Sequence, residues 1–251
     1  MYRVHAMAAA ALIAAVFNAA SIAQGPRAET PPAIVPAATL ATPTTASTVP
    51  NAEGFIQRWL VLEPLIVDGQ TQNIVRAAVV KYALSGPALP LPHNGDRVDV
   101  AGNNLIWHAY DTRYYNLNLF HFSRSLGKPT NNVLFWVETV VNSPVEMKDV
   151  RLAIGSNAAS VWWLNGEEVV GIYGDRQTVI DDGVSKRLTL KQGPNIVRGA
   201  VVNGSGATDF CARFLDADGK PIKGYTISLG QPSSTGKPAT NDTAAAAGKR
   251  K

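Results

Sequence analysis

The run Ser160-Val161-Trp162-Trp163-Leu164-Asn165-Gly166-Glu167-Glu168-Val169-Val170 constrains the fold of this chain more than any other. Asn-Gly set between apolar β-formers is a strong local signal for a two-residue hairpin, because both residues tolerate the positive φ of a type I′ turn. Side chains alternate across a strand, so neighbouring Trp162 and Trp163 face opposite sides of whatever sheet contains them. At most one of the two indoles can therefore enter a given core face.

The rest of the central region carries the same β-signature. Phe55 to Leu62 reads as a first strand stopped by Glu63-Pro64. Asn132 to Val141 is rich in Val, Phe, Trp and Thr, and Val150 to Ile154 alternates. Lys186–Leu190, the turn Gln192-Gly193-Pro194-Asn195 and Ile196–Val202 read as a second hairpin. Asp209 to Leu215 is a strand closed by the turn Asp216-Ala217-Asp218-Gly219-Lys220. One segment breaks the pattern. Ile74, Val75, Ala78, Val79 and Tyr82 recur at helical spacing behind Asn73, a good N-cap, so one short helix is expected there, ending near Ser85-Gly86-Pro87. Residues 86–95, dense in Pro and Gly, form a loop. Many short strands with regular turns and a single helix predict an all-β sandwich or jelly roll; a parallel βαβ fold needs more helices.

The ends of the chain have a different composition. Residues 1–23 read as a signal peptide: Arg3 supplies the positive start, Ala8 to Phe17 the apolar stretch, and Ser21-Ile22-Ala23 the small residues before cleavage. Residues 24–51 are a Pro/Ala/Thr-rich linker, and residues 231–251 a polar tail with the same inability to bury apolar surface. The folded unit is expected over residues 52–230. No later run of about 18 apolar residues predicts a membrane span, so the mature form is expected to be soluble and secreted or periplasmic. The net charge of +4 draws on both ends, and no basic patch interleaved with aromatics supports nucleic-acid binding.

Several pieces, in order, resemble a known family. Val161 to Gly166 with Glu167-Glu168-Val169 is similar to the Trp-Leu-Asn-Gly hairpin of galactose-binding-like jelly rolls. Such domains accompany glycoside hydrolases, including the sugar-binding domain of family 2, and acetyl-xylan esterases. Phe55 to Pro64 is similar to the opening strand of that fold. Leu188-Thr189-Leu190-Lys191-Gln192-Gly193-Pro194-Asn195 resembles a later turn, and Phe210 to Phe214 with Asp218-Gly219 the last strand. The resemblance implies a galactose-binding-like jelly-roll β-sandwich with a carbohydrate-associated role. Where many relatives carry Asp-Asp-Gly before the hairpin, this chain has Asn157-Ala158-Ala159. Any ligand or ion those acids hold in relatives loses them here.

No catalytic constellation stands out. Gly183-Val184-Ser185-Lys186-Arg187 lacks the second glycine of a nucleophile elbow, and Ser125-Leu126-Gly127-Lys128 lacks the companions of its S-x-x-K motif. His93, His108 and His121 do not share zinc spacing. Asp175, Asp181 and Asp182 are the calcium candidates, set against the simpler expectation of solvated turn acids; no other cofactor is implied. The single cysteine, Cys211, is expected to be a small buried filler. Aromatic rings pack on the apolar C–H faces of sugars. Trp107, Tyr110, Tyr114 and Trp163, together with Arg176, are therefore the ligand-binding candidates, while Trp59, Trp136 and Trp162 are assigned to the core. The expected role is a non-catalytic binding module whose partner is a glycan or a glycan-processing protein. An acetyl-xylan-esterase-like hydrolase and a protein-docking envelope module are the alternatives.

Overall fold

A computed structural model describes residues 40–67, 74–84, 91–174 and 176–229. The expected signal peptide, most of the expected linker, the tail beyond residue 229, Asn73, Ser85-Gly86-Pro87 and Asp175 lie outside the described residues.

The principal elements are β1 (Arg58–Leu62), α1 (Ile74–Lys81), β2 (Asn103–Thr112), α2 (Leu119–Ser125), β3 (Val133–Ser143), β4 (Met147–Ser156), β5 (Ala159–Leu164), β6 (Glu167–Ile172), β7 (Gly193–Asn203) and β8 (Asp209–Leu215). They make an antiparallel all-β sandwich. The larger sheet runs β2-β1-β3-β7-β5-β6, and the smaller is built on β4 paired with β8, flanked by short strands. β3 is the spine. Its register with β7 runs unbroken from Val133↔Asn203 to Ser143↔Gly193. Its other edge is shared by Leu65–Ile66, β1 and Thr226–Ser228.

The larger sheet is covered on both faces, so its central strand is almost continuously buried rather than alternating. On the inner face Trp59, Val61, Phe135, Val137, Trp162 and Val201 meet Leu152, Ile154, Phe210 and Phe214 of the smaller sheet. Trp59, Trp162 and Phe210 form an aromatic knot, with centroids 5.9 Å apart between the indoles and 5.0 Å from each indole to Phe210. Gly199 makes room for it, since a Cβ there would collide with the Trp162 ring. On the outer face Leu60, Leu134, Trp136, Val140, Val161 and Ala200 are covered by Val75, Ala78 and Tyr82 of the α1 region, and by Leu91 and Leu105.

The Asn165-Gly166 turn forms as expected, with φ of 53° and 87°, and Trp162 and Trp163 do face opposite sides. Three expectations change. The strand expected from Phe55 starts at Arg58, and it is not the first, because Leu40–Ala41 and Ser47–Thr48, within the expected linker, pair with β2 and with Thr226–Ser228; Phe55 makes only an isolated bridge to Arg213. A second helix, α2, exists, opened by Asn118, whose Oδ1 accepts from His121 N at 2.8 Å. The hairpin expected from Lys186–Leu190 and Ile196–Val202 does not form. Leu188–Leu190 pairs with β4 in the smaller sheet, whereas β7 joins the larger one. The chain changes sheets at a corner tied by Asn195. Its buried amide accepts from Lys191 N (2.9 Å) and donates to the carbonyls of Lys191 (2.8 Å) and Gly193 (3.1 Å). Gly193 supplies the positive φ, 88°, that this corner requires.

Candidate functional site

The outer face of the larger sheet carries an opening that the inner face lacks. It begins with strand register. Trp163 of β5 pairs with Arg198 of β7, and Arg198 pairs with Glu138 of β3. Trp136, two residues before Glu138, points the same way. These four side chains therefore share one face. A β-bulge falls between Trp162 and Trp163, where β5 slips against β6 from Val170 to Glu168. Bulges re-aim the side chains beside them. Here the bulge adjoins Trp163, whose ring lies 5.7 Å from that of Trp136 at 36°.

α1 forms the roof. Trp136 Nε1 donates to the Tyr82 carbonyl at 3.0 Å, fastening the end of the helix. Near its start, Arg76 donates to Glu168 at 2.7 and 3.1 Å and to the Tyr173 hydroxyl, and its guanidinium lies 5.3 Å from the Tyr173 ring centre. Between these ties is a cavity of about 220 Å³. Val79, Ala83 and Leu84 line the helix side, and Trp136, Ile196 and Arg198 the sheet side; Trp163 and Gly166 belong to the hairpin.

Among the described residues of this lining, Arg198 is the one that carries a charge. Its Nε donates to Glu138 Oε1 at 2.5 Å. Glu138 is only 1% exposed, and its other oxygen is buried without a hydrogen-bond partner. Burial pushes the Glu138 carboxyl above its ordinary range, and the adjacent Arg198 charge opposes that rise. The site thus combines two tilted indoles, an aliphatic wall and a guanidinium backed by a carboxyl. It can stack an apolar face and donate hydrogen bonds.

Of the described sequence candidates, Trp163 alone lies at this cavity. Trp107 is 3% exposed, packed in the outer-face cluster, so it is a core residue rather than a platform. Tyr110 faces the other side of β2, half-buried between His108 and Phe122. Tyr114 is 56% exposed on the loop after β2, and its carbonyl accepts from Gln57. Arg176 is bound to Asp182 at 2.6 Å and to the Tyr173 carbonyl at 2.9 Å. Asp181 is held by Arg213. Both described calcium candidates therefore face guanidinium groups, and no cluster of three His, Cys, Asp or Glu able to hold a metal occurs among the described residues. Ser125 closes α2 and donates to the Phe122 carbonyl.

Sequence reasoning placed Trp136 only in the core and left Glu138 and Arg198 without a role. Their signal was a lone acid and a lone base, each in an otherwise apolar strand. A second hollow of about 510 Å³, beside the Asn165-Gly166 turn, is lined by exposed charges of both signs, including Lys148, Asp149, Glu167 and Arg187.

No family model matches the chain, and no curated protein matches it. Among solved structures, a PA14 sugar-binding domain from an RTX adhesin is 12% identical, with a TM-score of 0.38, covering 70% of this chain and 99% of that one. The PA14 domain of the antifreeze protein MpAFP is 12% identical with a TM-score of 0.40, covering 77% and 100%. A β-glucosidase from Kluyveromyces marxianus in complex with glucose is 20% identical with a TM-score of 0.35; 63% of this chain covers 17% of that enzyme. What this chain binds is therefore read from its own side chains. Among the described residues no helix is long and apolar enough to cross a membrane.

Proposed function

We propose that this chain is an exported, non-catalytic carbohydrate-binding module that holds one sugar ring in the cavity between α1 and the larger sheet. The observation that carries this reading is the half-buried Trp163 beside Trp136, with Arg198 in the same lining. An indole offers a flat apolar surface to a sugar's C–H face, and a guanidinium supplies oriented donors for ring oxygens. At about 220 Å³ the cavity is smaller than a drug-sized site of roughly 300–1,000 Å³, which suits a single ring rather than a chain end of several. Export rests on the composition of residues 1–23. The Pro/Ala/Thr-rich segment that follows suits a module tethered near a glycan-processing protein.

Titration of the full chain with monosaccharides, followed by tryptophan fluorescence and calorimetry, tests the reading. Trp163→Ala should abolish binding while leaving the thermal transition cooperative. Tyr114→Ala, on the distant exposed loop, should bind as the parent does. Retained binding in Trp163→Ala with loss in Tyr114→Ala would move the site to the loop and refute this placement.

A further inference from the structure

Among the described residues, the side chains that line the cavity offer hydrogen-bond donors and no acceptor. Its aliphatic lining offers no polar side-chain atom. Trp136 Nε1 is already spent on the Tyr82 carbonyl. That leaves Trp163 Nε1 and the end of Arg198, whose Nε alone is engaged, by Glu138. Arg198 Nη1 and Nη2 and Trp163 Nε1 have no hydrogen-bond partner among the described residues. Indole and guanidinium groups donate and never accept. A neutral sugar hydroxyl both donates and accepts, so side chains of this kind satisfy half of it. A carboxylate accepts only, and its two oxygens match the paired N–H groups of a guanidinium.

The charge is biased the same way. Glu138 sits behind Arg198 rather than in the lining, and its free oxygen is buried. Burial pushes the Glu138 carboxyl up and the Arg198 charge opposes that rise, while Glu138 engages only Arg198 Nε and leaves Nη1 and Nη2 to the cavity. Among the described residues no acidic side chain lines the opening to repel an anion.

We infer that the cavity selects a carboxylate-bearing ring, a hexuronic acid. The carboxylate sits on Arg198 Nη1 and Nη2, and the ring face lies on Trp163. This rests on the sugar-pocket reading above and narrows it to acidic glycans.

The test titrates the full chain with galacturonate and glucuronate against galactose and glucose, at low and high salt. Uronate binding at least about tenfold tighter than the neutral sugar, shrinking as salt rises, is the expected result, since a bond to a charged partner is worth roughly tenfold or more. Arg198→Met should remove that preference: affinity for the uronates should fall by at least about tenfold and affinity for the neutral sugars by less, because only the uronates lose a charge-assisted pair of bonds. Arg198→Met also strands Glu138, so Glu138→Gln/Arg198→Met serves as the folded control, checked by circular dichroism. Equal binding of acidic and neutral sugars to the parent chain would overturn the uronate inference and leave the pocket reading standing. Binding of neither, with the Trp163 fluorescence unmoved, would sink both.

Discussion

The two faces of the larger sheet use the same strands to opposite ends. On the inner face Trp59 and Trp162 are fully buried against Phe210 and the aliphatic side chains of the smaller sheet. The outer face has comparable indoles, Trp107, Trp136 and Trp163, but among the described residues its cover is an eight-residue helix with Leu91, Val98 and Val100 rather than a second packed sheet. The outer face also tolerates Glu138 and Arg198, while the inner knot contains no ionisable side chain. One face therefore acts as a core, and the other as a partial core with a site in it.

That contrast is broken most directly at the tryptophans themselves. Trp162→Ala should destabilise the protein by about 3–5 kcal/mol, the range for emptying a large aromatic site that cannot collapse. The site cannot collapse because Trp59 and Phe210 both lean on that ring. Denaturant unfolding, with unchanged m-value, measures it. If Trp162→Ala and Trp163→Ala lost similar stability, the two faces would be equivalent cores and the outer cavity would have no special status.

A smaller effect is expected at the corner that delivers β7 to the larger sheet. Asn195→Ala removes an amide engaged by Lys191, Gly193 and Asn165. Buried backbone groups left unsatisfied there should cost about 1–3 kcal/mol. Because β7 carries Arg198, the same variant should also weaken sugar binding, with calorimetry as the readout. Loss of stability with full retention of binding would show that the corner supports the inner face alone.

Local chemistry was legible in the residues; partnership between distant strands was not. Asn165-Gly166 announces its turn because both residues accept positive φ, and the alternation of Trp162 and Trp163 follows from strand geometry. The helical spacing of Val75 and Ala78 marks α1, and both are buried as that spacing implies. By contrast, Gly193-Pro194-Asn195 reads like a hairpin turn, and nothing local reveals that the strand before it belongs to another sheet. The short α2 escaped because its apolar pair, Leu119 and Phe122, spans less than one clear helical repeat. For the site, Trp163 stood out, but its companions come from positions 136, 138 and 198, joined only by register. Trp107 was singled out for its sugar-stacking ring and is buried in the outer-face cluster, because ring chemistry says nothing of what covers the face a side chain takes.

The subtlest prediction concerns protons. Burial raises the Glu138 carboxyl above its ordinary value of 4.5 in the folded protein, while the unfolded chain keeps that ordinary value. Between the two, the folded state holds a proton that the unfolded state has released. Linkage then makes stability fall as pH rises through that window. The stabilisation is full below 4.5 and is gone once pH passes the raised value. Glu138→Gln has no proton to lose, so its midpoint of unfolding should gain on the parent's as pH is raised from 4.5, with the gap then levelling off. Paired unfolding curves across that range measure the gap. A gap independent of pH would mean that Arg198 fully compensates the ionised carboxylate. The outer face would then hold its buried acid at no electrostatic cost, and its contrast with the apolar inner knot would rest on packing alone.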